Sequence, residues 1–411
     1  MISSLMIFMA MLLIAMLVEP LSERLRFPFS ALLVLVGFIG SEAIVAFGFD
    51  TGLRYETFND LILHLFVPIL VFESAFNIHA KSLFKNIIPI LILAVPAMLL
   101  ASVVTATIIY YGIGHPQHFP FAAALLAGIL LSATDPVAVV ALFKKLGAPE
   151  RLNILLEGES LFNDATAVVM YSLVVTLALT PGAEFSVADA SATFATSFFG
   201  GILVGAIVGG LASLIYRAFN HPMQHSVTSI ITGLSAFYFS EHLLHVSGIV
   251  AILVAALILG ETHRKYAPSS KDHLTTEIWE LAAYISNAIL FLLVGVTITW
   301  AMFEQQWLAM LIGIVAATIA RLIVSYGLVP TLGLLPKTTS IPSCYKPVMM
   351  WGGLRGAIAL ALALSIPTEI ESWFTIQSIA YGVVLFTLFI QAPLMPPLVQ
   401  KTIDYHKQHD D

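Results

Sequence analysis

The sequence Ser-Ala-Thr-Asp-Pro at positions 132–136 lies in the middle of a long apolar segment, Phe121–Leu142. About 20 apolar residues suffice for a helix to cross a bilayer. Pro136 removes a backbone hydrogen bond and clashes with the preceding turn, and it biases Asp135 away from helical geometry. The stretch therefore predicts a membrane helix broken near its middle. Freed carbonyls and a carboxylate at such a break can bind a small cation.

The composition extends this prediction to the whole chain. Of 411 residues, 59% are hydrophobic and only 10% are Asp, Glu, Lys or Arg, whereas soluble domains carry about 25% charged residues. This excludes a soluble enzyme, a nucleic-acid-binding protein and a disordered chain, and the unbroken apolar blocks exclude a transmembrane β-barrel. The single cysteine, Cys344, excludes an internal disulfide. No phosphate-binding loop is found, so we expect ion gradients, and no cofactor, to provide the energy.

Hydropathy predicts an all-α polytopic membrane protein with about thirteen transmembrane helices, in a single transporter domain over residues 1–411. The predicted spans are Ile2–Val18, Phe29–Gly48, Leu61–Asn77, Ile87–Gly112, Phe121–Leu142, Arg151–Leu179, Thr193–Ala218, Val227–Leu244, Val246–Gly260, Glu277–Trp300, Trp307–Leu332, Val348–Ile366 and Ile376–Val399.

Basic residues predict the orientation of these spans, because Lys and Arg are enriched in cytoplasmic loops. Fifteen of them follow odd-numbered spans, and the opposite loops hold only Arg54. The N-terminus is therefore expected outside, with residues 400–411 as a short cytoplasmic tail. The fifteen are Arg24, Arg26, Lys81, Lys85, Lys144, Lys145, Arg151, Arg217, Arg264, Lys265, Lys271, Lys337, Lys346, Lys401 and Lys407.

Helix 6 carries several polar groups at membrane depth. Ser160 and Asp164 are four residues apart and share one helical face, while Glu159 and Asn163 share a neighbouring face. Alkali cations prefer oxygen ligands. Together with Thr134 and Asp135 of helix 5, Ser160 and Asp164 supply such ligands from two helices.

Further charges inside predicted spans are Glu73 in helix 3, Arg321 in helix 11 and Arg355 in helix 12. Intramembrane charge is a functional hypothesis because insertion costs roughly 2.5–3.5 kcal/mol. Arg355 lies within Gly-Gly-Leu-Arg-Gly at 352–356, whose glycines predict a second broken helix. Two breaks in corresponding halves predict six-helix inverted repeats. The first repeat is 1–179 and the second 227–399, with 193–218 as the connecting helix.

These motifs resemble those of the NhaP-type monovalent cation/proton antiporters, a family that includes the animal sodium/proton exchangers. The matching sequences are Phe-Glu at 72–73, Ala-Thr-Asp-Pro at 133–136, Gly-Glu-Ser-Leu-Phe-Asn-Asp at 158–164 and Gly-Gly-Leu-Arg-Gly at 352–356.

The resemblance implies a homodimer in a prokaryotic inner membrane, with a core domain that moves against an interface domain. It implies that Na⁺ and H⁺ compete at Asp164, with Thr134, Ser160, Asp135 and Glu73 completing the shell. It implies an ion pair between Glu159 and Arg321, which the residues also require, since a buried arginine needs a carboxylate. Arg355 would offset the ends of the broken helices. Asn163 cannot titrate, where electrogenic relatives have a second aspartate, and this predicts electroneutral 1:1 exchange.

Three alternatives stand beside a sodium/proton antiporter. Ligand types alone do not separate Na⁺ from K⁺ or Li⁺. A passive channel needs a continuous polar path, and a serine protease using Ser160 lacks a histidine at mid-depth. His242 and His245, beside Glu241, are a candidate metal or pH-sensing site or an interfacial pair, and His263 and His273 are expected to be solvated.

Overall fold

A computed structural model describes residues 2–25, 27–46, 61–113, 119–135, 137–180, 186–267, 273–335, 338 and 340–409, and within these ranges it contains helices and no strands. The helices are α1 (Ile2–Leu25), α2 (Phe29–Ala46), α3 (Ile62–Asn77), α4 (Ala80–Lys85), α5 (Ile87–Ile113), α6 (Phe121–Leu130), α7 (Val137–Leu146), α8 (Glu150–Leu179), α9 (Val187–Ala218), α10 (Pro222–Tyr238), α11 (Gly248–Tyr266), α12 (Leu274–Thr297), α13 (Trp300–Leu322), α14 (Lys346–Trp351), α15 (Ala357–Leu364), α16 (Trp373–Phe386) and α17 (Ala392–His409).

The predicted all-α membrane architecture is confirmed, and within the described residues each predicted span overlaps helix. Eight helical stretches in the described ranges are long and apolar enough to cross a membrane. The predicted count of thirteen spans stays a prediction. The chain departs from expectation at α4, a short helix where a loop was predicted, and at α17, which continues to His409 through most of the predicted tail.

The chain divides into two compact units. The first comprises Met1–Asn59, Ile88–Asp164 and Asn287–Asp411. Within it α5 packs on α6 and α13, and α13 packs on α16. Gly128 of α6 lies against the carbonyl of Ser102 in α5, where a Cβ atom would overlap that oxygen. This close approach fixes the end of α6, and therefore the start of the predicted break.

The second unit comprises Asp60–Ile87 and Ala165–Ser286. Its largest contact joins α9 to α11. Glycines at positions 201, 205 and 209 of α9 repeat every four residues and face α11. Small residues at this spacing let two membrane helices approach closely. On the other side α11 packs against α3, the helix that carries Glu73.

Candidate functional site

Two helix breaks meet in the first unit. The chain is non-helical at residues 131–135, after the end of α6 at Leu130, and again between Trp351 of α14 and Ala357 of α15. The backbone N–H of Asp135 donates to the carbonyl of Leu354 at 2.8 Å. A backbone N–H of the first break therefore hydrogen-bonds to a backbone carbonyl of the second. Pro136, which predicted the first break, lies outside the described residues.

Side chains from α8 hold the first break in place. The Ser160 hydroxyl donates to the carbonyl oxygen of Thr134. The amide of Asn163 donates to the carbonyl of Ser132 at 3.1 Å and to Oγ1 of Thr134 at 3.4 Å. The side-chain amide of Asn163 thus acts as a hydrogen-bond donor that holds two oxygen atoms of the first break in place.

The carboxylate of Asp164 completes this cluster. It interacts with the Ser160 side chain and electrostatically with Asp135. The Ser160 hydroxyl has a single proton, which it donates to the Thr134 carbonyl, and Asp164 lies beside the same hydroxyl. The structure brings together five of the six predicted cation and proton ligands, and it does so around the break.

Exposure differs sharply within the cluster. Thr134, Ser160 and Asn163 are at most 5% exposed, whereas Asp135 and Asp164 are only partly buried. The fixed oxygens are therefore shielded more completely than the two acidic residues. Such an arrangement suits a site that loads and releases a hard cation.

Glu159 and Arg321 form an ion pair through Oε1 and Nη1. Arg321 also donates from Nε to the carbonyl of Met349 at 3.0 Å. A Cβ atom at Gly353 would lie 2.7 Å from that Nε. The glycine therefore lets the guanidinium lie across the second break and tie α8 to α13 and α14.

Arg355 is buried, with 5% of its surface exposed. Its Nη1 donates to the carbonyl of Ala133 at 3.0 Å, and its backbone N–H lies 3.4 Å from Oγ1 of Thr387. The charge of Arg355 therefore faces a carbonyl freed by the first break, next to Thr134.

Glu73, the sixth predicted ligand, belongs to the second unit. Its carboxylate accepts hydrogen bonds from Asn77 at 2.7 Å and from Ser74 at 3.4 Å, both in its own helix.

The histidines differ from expectation. His263 is partly exposed, but it lies within α11 and not in a loop, and its Nδ1 is 2.6 Å from the hydroxyl of Tyr216. His242 contacts the rings of Phe237 and Tyr238. Among the described residues, no group of three or more His, Cys, Asp or Glu side chains could hold a metal ion.

Most of the site residues that the sequence did not predict are those that contact the two non-helical breaks. Gly356 lies against Asp135, so that a Cβ atom there would overlap the carboxylate. The three glycines at 352–356 predicted that another segment approaches closely, but they did not predict that this segment contains Asp135. The carbonyls of Ser132 and Ala133 gave no signal, because backbone acceptors are invisible in a sequence, and the Thr387 hydroxyl gave none, because a single threonine in an apolar helix is not distinctive.

The sodium/hydrogen exchanger transmembrane family model matches residues 9–401. The chain belongs to this family. Among similar proteins, the Na(+)/H(+) antiporter ApNhaP of Aphanothece halophytica is 35% identical over 377 residues, covering 92% of this chain and 70% of the relative. The Na(+)/H(+) antiporter NhaH of Halobacillus dabanensis is 30% identical over 400 residues, covering 95% and 96%.

The fold of this exchanger-family chain is similar to that of the sodium proton antiporter MjNhaP1 from Methanocaldococcus jannaschii, solved at pH 8. The TM-score is 0.82 at 20% identity, covering 97% of this chain and 98% of that one. The predicted family is therefore confirmed. Family membership and the apolar helices together make the chain an integral membrane transporter.

Proposed function

We propose that this protein exchanges Na⁺ for H⁺ across a membrane by alternating access, with both ions competing at Asp164. The observation that carries the proposal is the meeting of two broken helices beside two partly exposed carboxylates, Asp164 and Asp135. Thr134 and Ser160 would supply further oxygens to the cation. The relatives named Na(+)/H(+) antiporters support the choice of substrates.

The formal charge of the cluster supports coupled exchange. Within the first unit, three carboxylates (Asp135, Glu159 and Asp164) stand against two guanidiniums (Arg321 and Arg355), which leaves one negative formal charge as long as Glu73 stays neutral. One Na⁺ or one proton neutralises it. Moving an uncompensated charge through a low dielectric is unfavourable. The loaded core would therefore move readily and the empty core would not, which is the condition for exchange without leak.

The proposal also covers the oligomeric state, the membrane and the internal repeats of the protein. The protein would work as a homodimer in a prokaryotic inner membrane, with inverted repeats over 1–179 and 227–399. Glu73 remains a predicted ligand on the strength of the resemblance. A K⁺/H⁺ antiporter and a passive channel are the competing outcomes of the experiment below.

Proteoliposomes loaded at one pH and diluted into each alkali cation in turn test this function. We expect saturable proton movement driven by Na⁺. Asp164→Asn should abolish it, because the amide keeps the shape but neither carries a proton nor neutralises a cation. The matched control is Glu371→Gln, an exposed acid of the first unit, which should exchange normally. Flux without a counter-gradient of protons would indicate a channel, and normal exchange by Asp164→Asn would remove Asp164 from the site.

A further inference from the structure

A small cavity of the first unit lies between α13, α16 and the second break. Its polar lining comprises Thr318, Arg321, Arg355, Thr387 and Gln391. Thr387 and Gln391 are the first and last residues of a π-helical turn that continues α16. Such turns are rare and occur frequently at functional sites. The proposed cation site gives no role to the buried side chain of Gln391.

Two atoms of this cavity's lining residues have unmet hydrogen-bonding capacity. Within the part of the chain that the structure describes, neither Nε of Arg355 nor Oε1 of Gln391 has a hydrogen-bond partner. Both residues are deeply buried, at 5% and 6% exposure. An unsatisfied buried polar group is costly. Because a charged donor and a neutral acceptor belong to residues that line one cavity, a small ligand that accepts from Arg355 and donates to Gln391 would satisfy both.

A second cavity extends from Arg355 to the candidate cation site. It is lined by Arg321 and Arg355 again, and by Ser132 and Asn163. Arg355 thus lies between Gln391 on one side and the residues that hold Thr134 on the other. Its Nη1 bond to the carbonyl of Ala133 makes the connection direct.

We propose that Gln391 is a positioning residue for the cation site, and that a water molecule in the first cavity joins its side-chain amide to Nε of Arg355. This inference rests on the proposed function. Water both donates and accepts, so it fits whichever way the amide of Gln391 is turned. A water needs two to four polar partners, and this cavity offers them.

A neutral water is favoured over an anion such as chloride by the pairing of the charges around the cavity. Glu159 already compensates Arg321, and the wider cluster of three carboxylates and two guanidiniums has an excess of one negative formal charge. With Gln391 and the water in place, Arg355 keeps its guanidinium on the carbonyl of Ala133. Without them, the guanidinium is less constrained and the Thr134 ligand is displaced more easily.

The test compares purified full-length variants in proteoliposomes. Gln391→Leu should raise the KM for Na⁺ by about threefold to tenfold, the equivalent of one hydrogen bond, with a smaller change in maximal rate. Gln391→Asn keeps an amide and should remain within about twofold of the wild type. The matched control is Gln377→Leu, since Gln377 is equally buried in the same unit but donates to the carbonyl of Ala363. It should lower thermal stability without changing the KM.

An unchanged KM in Gln391→Leu, or an equal change in Gln377→Leu, would overturn the positioning role while leaving the exchange function standing. Absence of exchange in the wild type would overturn the proposed function instead. A cryo-electron microscopy map of the wild type, at a resolution that shows water, gives an independent readout. Density between Gln391 and Arg355 supports the proposal when it persists after chloride is replaced by gluconate. Density that disappears on that replacement indicates an anion and contradicts it.

Discussion

At the scale of single residues, the pairing of Glu159 with Arg321 is expected to act mainly on stability. Both side chains are buried, and removing one partner of a buried pair leaves an uncompensated charge, at a cost of roughly 3–5 kcal/mol. Glu159→Gln should therefore lower the free energy of unfolding strongly while the apparent Na⁺ affinity of the remaining folded protein changes little. Thermal unfolding in detergent and transport kinetics measure the two quantities.

The chain offers a matched surface pair as a control. Glu261 and Arg264 form an ion pair at 3.3 Å that is far more exposed, with 52% of the Glu261 side chain and 24% of the Arg264 side chain accessible. Exposed pairs of this kind contribute about 0.5 kcal/mol, so Glu261→Gln should barely change the unfolding temperature. A stable Glu159→Gln protein with altered Na⁺ affinity would instead place Glu159 among the cation ligands.

At the scale of elements, the crossing of the two breaks depends on Gly356. A Cβ atom there would overlap the Asp135 side chain, so Gly356→Ala must displace Asp135 or separate the stretches. We expect at least about a tenfold loss of apparent Na⁺ affinity, in a protein that still reaches the membrane. Gly40→Ala is the control, because Gly40 of α2 has open space around its Cα. Normal affinity in Gly356→Ala would show that the crossing does not shape the site.

The same elements show what a sequence can predict. Pro136 and the glycines at 352–356 located both breaks, because the residues themselves oppose helical geometry. The spacing of Ser160 and Asp164 placed them on one face of α8. The hydrogen bond from Asp135 to Leu354 could not be predicted, since it joins backbone groups 219 residues apart that any residue provides. The hydrogen bond between His263 and Tyr216 was missed because a loop was predicted where α11 continues.

At the scale of the whole molecule, the distribution of basic residues predicts which ends face the cytoplasm. Lys81 and Glu371 are exposed residues of loops predicted on opposite sides. In a background that lacks Cys344, a cysteine at position 81 should react with a membrane-impermeant reagent only after the membrane is opened. A cysteine at position 371 should react from outside in intact cells. The reverse pattern would invert the proposed orientation.

The stoichiometry of exchange also belongs to the whole molecule, because it depends on the charge that crosses when the core moves. One Na⁺ or one proton at Asp164 neutralises the cluster equally, and Asn163 cannot titrate. If Asp135 and Glu73 each keep one protonation state in both loaded forms, the two half-cycles move the same charge and exchange is one for one. We expect the rate in proteoliposomes to be independent of an imposed membrane potential.

Competition at a single carboxylate also fixes the direction of the pH dependence. A protonated Asp164 cannot bind Na⁺, so the KM for Na⁺ should rise as the pH falls, while saturating Na⁺ restores the maximal rate. Asp164 and Asp135 interact, and coupled acids titrate as a group, so a second proton would enter the cycle through Asp135 or Glu73. A rate that responds to the potential, or a maximal rate that falls in acid at saturating Na⁺, would mean that a second proton travels and that Asn163 does not set the count.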